Sequence, residues 1–315
     1  MKQQTQNRRF ELKMSDANKN EIDFSQVKIM VNGMPGPMAT AAAEACLRKG
    51  LKLSPVALTG PNVEPMTITV YDTDSDTSSN VRLIPANEDG MIEMKSALEG
   101  LRAAMKDDKD VLVIDYTHPS AVNDNGKWYA ENSLPFVMGT TGGDRELLIK
   151  DVNDGKCPAV IAPNMGKQIV AMQAALEELS KKYPNAFDGY ELKVTESHQK
   201  TKADTSGTAK AVINSLNVLS GGSFDIENDI NMLRSDEESL AFGVKEDALK
   251  GHAFHTYTLT SSDGSVQFKL EHNVSGRRVY AEGTADAVKF LARKIRTDEP
   301  KIYTMINVLE EGALE

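Results

Sequence analysis

Val27-Lys28-Ile29-Met30-Val31-Asn32-Gly33-Met34-Pro35-Gly36-Pro37-Met38-Ala39 joins an apolar run to a glycine- and proline-rich turn and then to an alanine-rich segment. The run over 27–31 predicts a buried strand, and 38–49 predicts a helix that Gly50 stops. A strand that turns on glycines into a helix is where a dinucleotide fold holds pyrophosphate. The backbone there can turn tightly and approach the anion, and the leading N–H groups of the helix face it. Pro37 suits the first helical turn, where its missing N–H has no intrahelical partner to lose. The spacing is Gly-x-x-Gly-x-x-Ala rather than Gly-x-Gly-x-x-Gly, so a bare strand–helix turn stays open as the alternative.

Beyond this turn the chain alternates. A second strand is expected over 53–58, a hairpin over 64–85 and a helix over 91–105, followed by strands over 111–115, 135–138 and 159–162 with helices over 121–131 and 145–153 between them. Nearly all-apolar strands separated by helices indicate a parallel sheet covered on both faces. The second strand ends Leu58-Thr59-Gly60 with no acid to accept ribose hydroxyls, which favours NADPH; no arginine stands there, so NADH remains an alternative. After residue 165 the pattern changes. A helix over 167–182, a strand over 190–195 and a helix over 208–219 precede two alternating runs, 252–260 and 266–274, joined by Ser262-Asp263-Gly264. Helices over 285–295 and 302–309 close the chain. The expected class is α/β: a Rossmann-like dinucleotide-binding domain plus an α+β substrate and oligomerisation domain with a mixed open sheet.

A net charge of -10 argues against a general nucleic-acid binder. Nothing approaches the roughly 18 apolar residues of a membrane span. Cys46 and Cys157 have neither metal-type spacing nor a disulfide framework, and no metal is expected. Residues 1–26 read as a mobile tail without a clear transit signal, so the expected compartment is cytoplasmic, or a plastid if the source is photosynthetic.

The chemistry concentrates in Glu196-Ser197-His198-Gln199-Lys200-Thr201-Lys202-Ala203-Asp204-Thr205-Ser206-Gly207-Thr208-Ala209, which leaves a strand and enters a helix. His198 titrates near neutrality and can donate a proton, and Lys200 and Lys202 bring positive charge. Ser206-Gly207-Thr208 combines hydroxyls with the free N–H groups of a helix start, a cradle for a carboxylate. Taken one at a time, these are ordinary caps, turns and loop residues.

The loop resembles that of the 4-hydroxy-tetrahydrodipicolinate (dihydrodipicolinate) reductase family, in its plant-type branch. Asp115-Tyr116-Thr117-His118-Pro119, Phe136-Val137-Met138-Gly139-Thr140-Thr141-Gly142-Gly143-Asp144-Arg145 and Ala162-Pro163-Asn164-Met165-Gly166-Lys167-Gln168 add to the likeness. So do Gly251-His252-Ala253-Phe254-His255 and Tyr280-Ala281-Glu282-Gly283-Thr284. The resemblance implies NAD(P)H-dependent hydride transfer to a cyclic imine dicarboxylate in lysine and diaminopimelate biosynthesis. It makes His198 the proton donor and Lys202 the group that polarises the substrate, with Gln199, Ser206, Gly207 and Thr208 binding it. Gly33, Met34, Pro35, Gly36, Pro37 and Met38 would hold pyrophosphate. Tyr116, Thr117, Gly139, Thr140, Thr141, Pro163, Asn164 and Met165 would line the nicotinamide pocket.

The same resemblance returns 281–315 to the nucleotide domain (27–165), leaves 166–280 as the substrate domain, and implies a homo-oligomer, a dimer ahead of a tetramer. Two positions depart from the family. Pro37 replaces a basic residue, and Gln199 stands where bacterial relatives carry a second histidine. Another two-domain dehydrogenase, or a non-catalytic nucleotide binder, remains a rival reading of the same chain.

Overall fold

Lys28–Asn32 forms strand β1, an inner strand of a parallel sheet, with all but its first residue buried. The computed structural model describes residues 22–105, 111–202, 204–297 and 301–311, so nearly all of the expected N-terminal tail lies outside the described residues. From β1 the chain enters helix α1 (Pro37–Arg48), whose alanines let it lie close to the sheet, with Ala39, Ala42, Ala43 and Ala45 fully buried.

The strand expected over 53–58 breaks in two. Lys52–Leu53 (β2) pairs with β1, and Val56–Thr59 (β3) leaves for a second sheet. Pro55 explains the break, because it has no N–H for the ladder. Its carbonyl serves the new sheet instead, accepting from Arg82 N at 2.8 Å. That sheet is a three-stranded flap of β3, β5 (Thr77–Pro85) and β4 (Met66–Asp72), the last two forming the expected hairpin.

Helix α2 (Glu88–Ala103) leads to β6 (Val111–Asp115), then α3 (Val122–Glu131), β7 (Phe136–Met138), α4 (Arg145–Asp154) and β8 (Ala159–Ile161). The long helix α5 (Lys167–Lys182) carries the chain into the second half. There β9 (Glu191–His198) and helix α6 (Gly207–Ser220) bracket the charged loop.

Two elements there were not expected: β10 (Ile230–Leu233), parallel to β9, and the short helix α7 (Asp236–Ala241). Strands β11 (His252–Thr260) and β12 (Gln267–Ser275) complete a mixed four-stranded sheet in the order β10-β9-β11-β12. Helix α8 (Arg278–Thr297) then packs on α1, with Ala281, Ala285, Val288 and Leu291 in the same core as β1.

Ile302-Tyr303, expected within a helix, is strand β13 at the edge of the first sheet, and helix α9 (Met305–Glu310) follows behind a Thr304 capping box. The first sheet runs β13-β8-β7-β6-β1-β2, every pair parallel. This is a Rossmann-like α/β half joined to a separate mixed sheet. Ile22 and Phe24, at the end of the expected tail, pack against the first core.

Candidate active site

The turn after β1 is shaped by a close approach. Gly33 has φ 100°, and a Cβ on it would fall well inside contact distance of the Tyr116 carbonyl at the end of β6. Thr59 Oγ1 donates to Met34 O at 2.7 Å, tying the turn to the end of β3. The first intrahelical bond of α1 runs from Thr40 N to Gly36 O, so the N–H groups of Met38 and Ala39 have no carbonyl one turn back.

Two neighbouring cavities open here. One, of about 410 Å³, is lined by Gly33, Pro35, Gly36, Thr59, Gly60 and Tyr116. The other, of about 400 Å³, is lined by Met38, Tyr116, Thr117, Gly139, Thr140, Thr141, Pro163, Asn164, Met165 and Tyr280. Tyr116, Thr117 and Pro119 border both, so the two make one elongated trough along the carboxyl ends of the strands. An extended dinucleotide fits such a trough, its phosphates facing the start of α1.

Two residues of the expected set lie elsewhere. The Met34 side chain is buried in the core, and Pro37 lines a separate depression with Arg48, Asp72, Asp74 and Arg278. Tyr280 was not anticipated as a lining residue, although the Tyr-Ala-Glu-Gly-Thr stretch that contains it was noticed.

The walls of the trough are fixed by Asp115, fully buried at the end of β6. Its Oδ1 accepts from Thr117 N at 3.0 Å, Thr117 Oγ1 at 2.8 Å and Thr140 Oγ1 at 2.9 Å. Its Oδ2 accepts from Asn125 Nδ2 at 3.0 Å and Tyr129 OH at 2.6 Å. Asn32 extends the network, donating to Tyr129 OH at 2.9 Å and accepting from Leu58 N at 2.8 Å. One carboxylate thus aligns the turns after β6 and β7. From α8, Gly283 lets the helix rest on the Met165 carbonyl, where any side chain would collide.

On the other side stands β9. The sequence places the end of this strand at Thr195, but it continues through His198, because β11 pairs with it as far as Ala253 opposite His198. His198 is therefore a buried strand residue rather than a loop residue. Its Nε2 lies 3.1 Å from Nε2 of His255 on β11. Behind the pair sits Glu196, fully buried, with Oε2 at 3.9 Å from His198 Nε2 and 3.7 Å from His255 Nε2.

Arg234, just past β10, forms a short ion pair with Glu196 Oε1 and donates to Lys202 O at 2.8 Å. Lys202 turns back through a bond from its N–H to Gln199 O at 2.9 Å, and its ammonium pairs with Asp204 at 2.8 Å. Among the described residues, Glu196, His198 and His255 bring potential metal-binding atoms within 4.8 Å of one another. Arg234 already neutralises the carboxylate and Lys202 adds a second positive charge, so the electrostatics oppose a cation and we assign none.

Ser206 caps α6, and its N–H donates to Glu196 Oε2 at 3.3 Å, which leaves the amides of Gly207 and Thr208 to face a ligand. Thr208 Oγ1 accepts from Asn164 Nδ2 at 3.1 Å, and Gln173 Nε2 reaches Thr208 O at 3.3 Å. The trough and the start of α6 are thus joined directly, by the side chains of two residues expected to lie on opposite sides of one reaction.

Burial, aided by the positive charges of Arg234 and Lys202, pushes His198 down to about 4. Burial, with His272, His198, Arg234 and Lys202 adding to it, pushes His255 down to about 2. Burial also lowers His252 and His272. The separations from Glu196 are too long for hydrogen-bonded ion pairs, so both central imidazoles are neutral at pH 7.

These depressed values carry a stability signature. The folded chain binds fewer protons than the unfolded one once pH drops below about 6.5, the free-histidine value, so stability is complete above that pH and declines beneath it. The thermal midpoint should fall steadily between pH 7 and pH 5, the folding constant losing up to about tenfold per pH unit for each fully shifted histidine. A midpoint unchanged over that range would mean that these imidazoles are not buried in the neutral form.

Sequence reasoning missed Arg234 and His255. The first follows a strand too short and polar to stand out. The second had a readable signal, since alternation along β11 sets His255 on the same buried face as Tyr257 and Leu259.

Comparison with known proteins gives the family of both halves. The family described as "Dihydrodipicolinate reductase, N-terminus" matches residues 27–165, and "Dihydrodipicolinate reductase, C-terminus" matches residues 168–309. The chain is 45% identical over 288 residues to "Probable 4-hydroxy-tetrahydrodipicolinate reductase 2, chloroplastic" of Oryza sativa subsp. japonica, covering 91% of this chain and 84% of that one. It is 42% identical over 299 residues to "4-hydroxy-tetrahydrodipicolinate reductase 1, chloroplastic" of Arabidopsis thaliana, covering 94% and 82%. Among solved structures, the dipicolinate-bound dihydrodipicolinate reductase from Paenisporosarcina sp. TG-14 shares the fold with a TM-score of 0.57 at 18% identity, covering 90% of this chain and 99% of that one. With both halves matched in order, the chain belongs to the dihydrodipicolinate reductase family.

Proposed function

We infer that this chain is a 4-hydroxy-tetrahydrodipicolinate reductase acting in lysine and diaminopimelate biosynthesis. The observation that carries the inference is the Asn164–Thr208 hydrogen bond, which joins the wall of the dinucleotide trough to the carboxylate cradle at the head of α6.

When bound, NAD(P)H supplies a hydride to the conjugated imine ring that is left once the hydroxylated substrate has lost water. The residues do the rest. Gly33, Gly36 and the first amides of α1 hold the phosphates. Tyr116, Thr117, Gly139, Thr140, Thr141, Pro163, Asn164 and Met165 position the reacting end of the cofactor. Gly207 and Thr208 hold a substrate carboxylate; the Thr208 hydroxyl, already accepting from Asn164, keeps its own hydrogen free to donate. Lys202 exchanges Asp204 for the substrate and stabilises charge building on the ring nitrogen, and His198 delivers the proton there.

Turnover of enzymatically generated 4-hydroxy-tetrahydrodipicolinate, followed with NADPH and NADH in parallel, tests the inference. Absence of turnover with both would overturn it, and a faster rate with NADH would reverse the expected cofactor preference. Lys202→Ala should lower kcat by about 100-fold or more while leaving the Kd for NADPH within about twofold. A variant with near-normal kcat would remove Lys202 from the chemistry.

We place in the same proposal a nucleotide domain of residues 27–165 and 281–315 and a substrate domain of 166–280. The exposed outer face of β12, with Phe268 half exposed, supports a homo-oligomer, and the family resemblance puts a dimer ahead of a tetramer. The chloroplastic names of the plant relatives support a plastid compartment over the cytoplasmic one.

A further inference from the structure

Arg234 lies outside the charged loop, and its backbone is fixed from both sides. Strand β10 runs parallel to β9 with Leu233 opposite Ser197, which places the next residue beside the end of β9. After it the Ser235 capping box starts α7, and Arg234 N donates to the same Glu238 carboxylate at 3.4 Å.

The guanidinium is fully engaged by acceptors of the chain itself. Its Nε donates to Lys202 O at 2.8 Å. One terminal nitrogen reaches Leu233 O at 3.2 Å and Glu196 O at 3.4 Å. The other pairs with Glu196 Oε1 and lies 3.5 Å from Asp204 O. Five N–H groups thus face five acceptors, which leaves no donor over for a substrate carboxylate. Two of the acceptors, the carbonyls of Lys202 and Asp204, belong to the loop between β9 and α6. The bond from Lys202 N to Gln199 O turns the chain there, so the contact with Arg234 sets where the stem of Lys202 begins. Glu196 carries the hold to the far end of the loop, since its Oε2 accepts from Ser206 N at the head of α6.

We propose that Arg234 is a positioning residue for the reduction: it fixes the backbone beneath Lys202 and, through Glu196, the head of α6, so that the ammonium and the cradle meet one dicarboxylate at a set separation. A flexible four-carbon stem can deliver its ammonium to many places, and anchoring the carbonyl at its root narrows that range. A displacement of about 1 Å in such a group costs on the order of 100-fold in rate. Arg234 also offsets the charge of Glu196, which would otherwise repel an anionic ring.

This inference rests on the reductase reading, and the tests separate the two. Lysine at position 234 keeps the charge beside Glu196, so no bare carboxylate is left in the sheet, but one ammonium cannot reach the separate acceptors of the fork. In Arg234→Lys, kcat should fall about 10- to 50-fold while the Kd for NADPH stays within about twofold. The decisive variant combines Arg234→Lys with Lys202→Ala. Its kcat should match that of Lys202→Ala within about threefold, because the group to be positioned is already gone. Losses that multiply would make Arg234 a support of the sheet alone and overturn the proposal. So would an Arg234→Lys kcat within about threefold of wild type.

The same cycle read as binding needs no turnover. Pyridine-2,6-dicarboxylate, titrated calorimetrically into the NADPH-loaded protein, should bind about tenfold more weakly to Arg234→Lys than to wild type. The double variant should bind it as Lys202→Ala does, and a further loss of about tenfold overturns the proposal. A wild-type chain without turnover fails the reductase reading, whereas multiplied losses in the cycle fail this inference alone.

Discussion

His198→Ala should lower kcat roughly 10²–10⁴-fold, the usual worth of a general acid, and leave NADPH binding intact. The split follows from position. His198 ends β9, in the mixed sheet, while the residues lining the dinucleotide trough come from the first sheet's turns, the three-stranded flap and helices of the first half together with α8, and none from the mixed sheet. Loss of the ring also unpairs His255, but that residue remains stacked on His272, so the sheet keeps its form. Steady-state kinetics with a fluorescence titration of NADPH reads both quantities. A variant within threefold of wild-type kcat would show that the proton comes from elsewhere.

Asp115→Ala should be the most destabilising substitution near the trough. Removing the carboxylate leaves Asn125, Tyr129, Thr117 and Thr140 without their acceptor, and Tyr129, like the vacated position, is fully buried. Bonds to a charged acceptor contribute about 1.5–3 kcal/mol each, and part is recovered by rearrangement, so a net loss of about 3 kcal/mol or more is expected. For a domain of this size that lowers the thermal midpoint by about 6–12 °C. The KM for the cofactor should rise as well, because Tyr116, Thr117 and Thr140 lose their alignment. A loss under 1 kcal/mol, measured by denaturant titration, would mean that the network is not shared as the geometry indicates.

Much of the first half was legible because its signals are local. Val111–Asp115 reads as a strand from five apolar or turn-adjacent residues in a row, and Lys167–Lys182 as a helix from its periodicity and its basic last turn. The break at Ser54-Pro55 was also present in the sequence, since proline cannot donate to a ladder, but a single proline competes with strong apolar flanks.

The catalytic side was harder for a different reason. His198 looked like a loop residue because Glu196 and Ser197 are polar, and polarity normally marks the surface. Here those polar groups are buried and satisfied by partners far along the chain: Arg234 for Glu196, Ser239 and His252 for Ser197. Pairings across 38 to 57 positions leave no periodic trace in a single sequence. Lys202 stood out by its charge and Thr208 by its place at a helix start, and the family motif added their roles; the bond from Thr208 to Asn164 was visible only in three dimensions.

The edge strand β13 and the helix α8 bear on the order in which the molecule can be made. Ile302-Tyr303 completes a sheet whose first-made strand, β1, is synthesised some 270 residues earlier, and α8 covers α1 across a similar span. On the ribosome the first half therefore emerges with one flank of its sheet bare and its glycine-bearing helix uncovered. Its consolidation must wait until 302–303 has left the exit tunnel, so for most of its synthesis the first half exposes apolar surface that the finished fold covers.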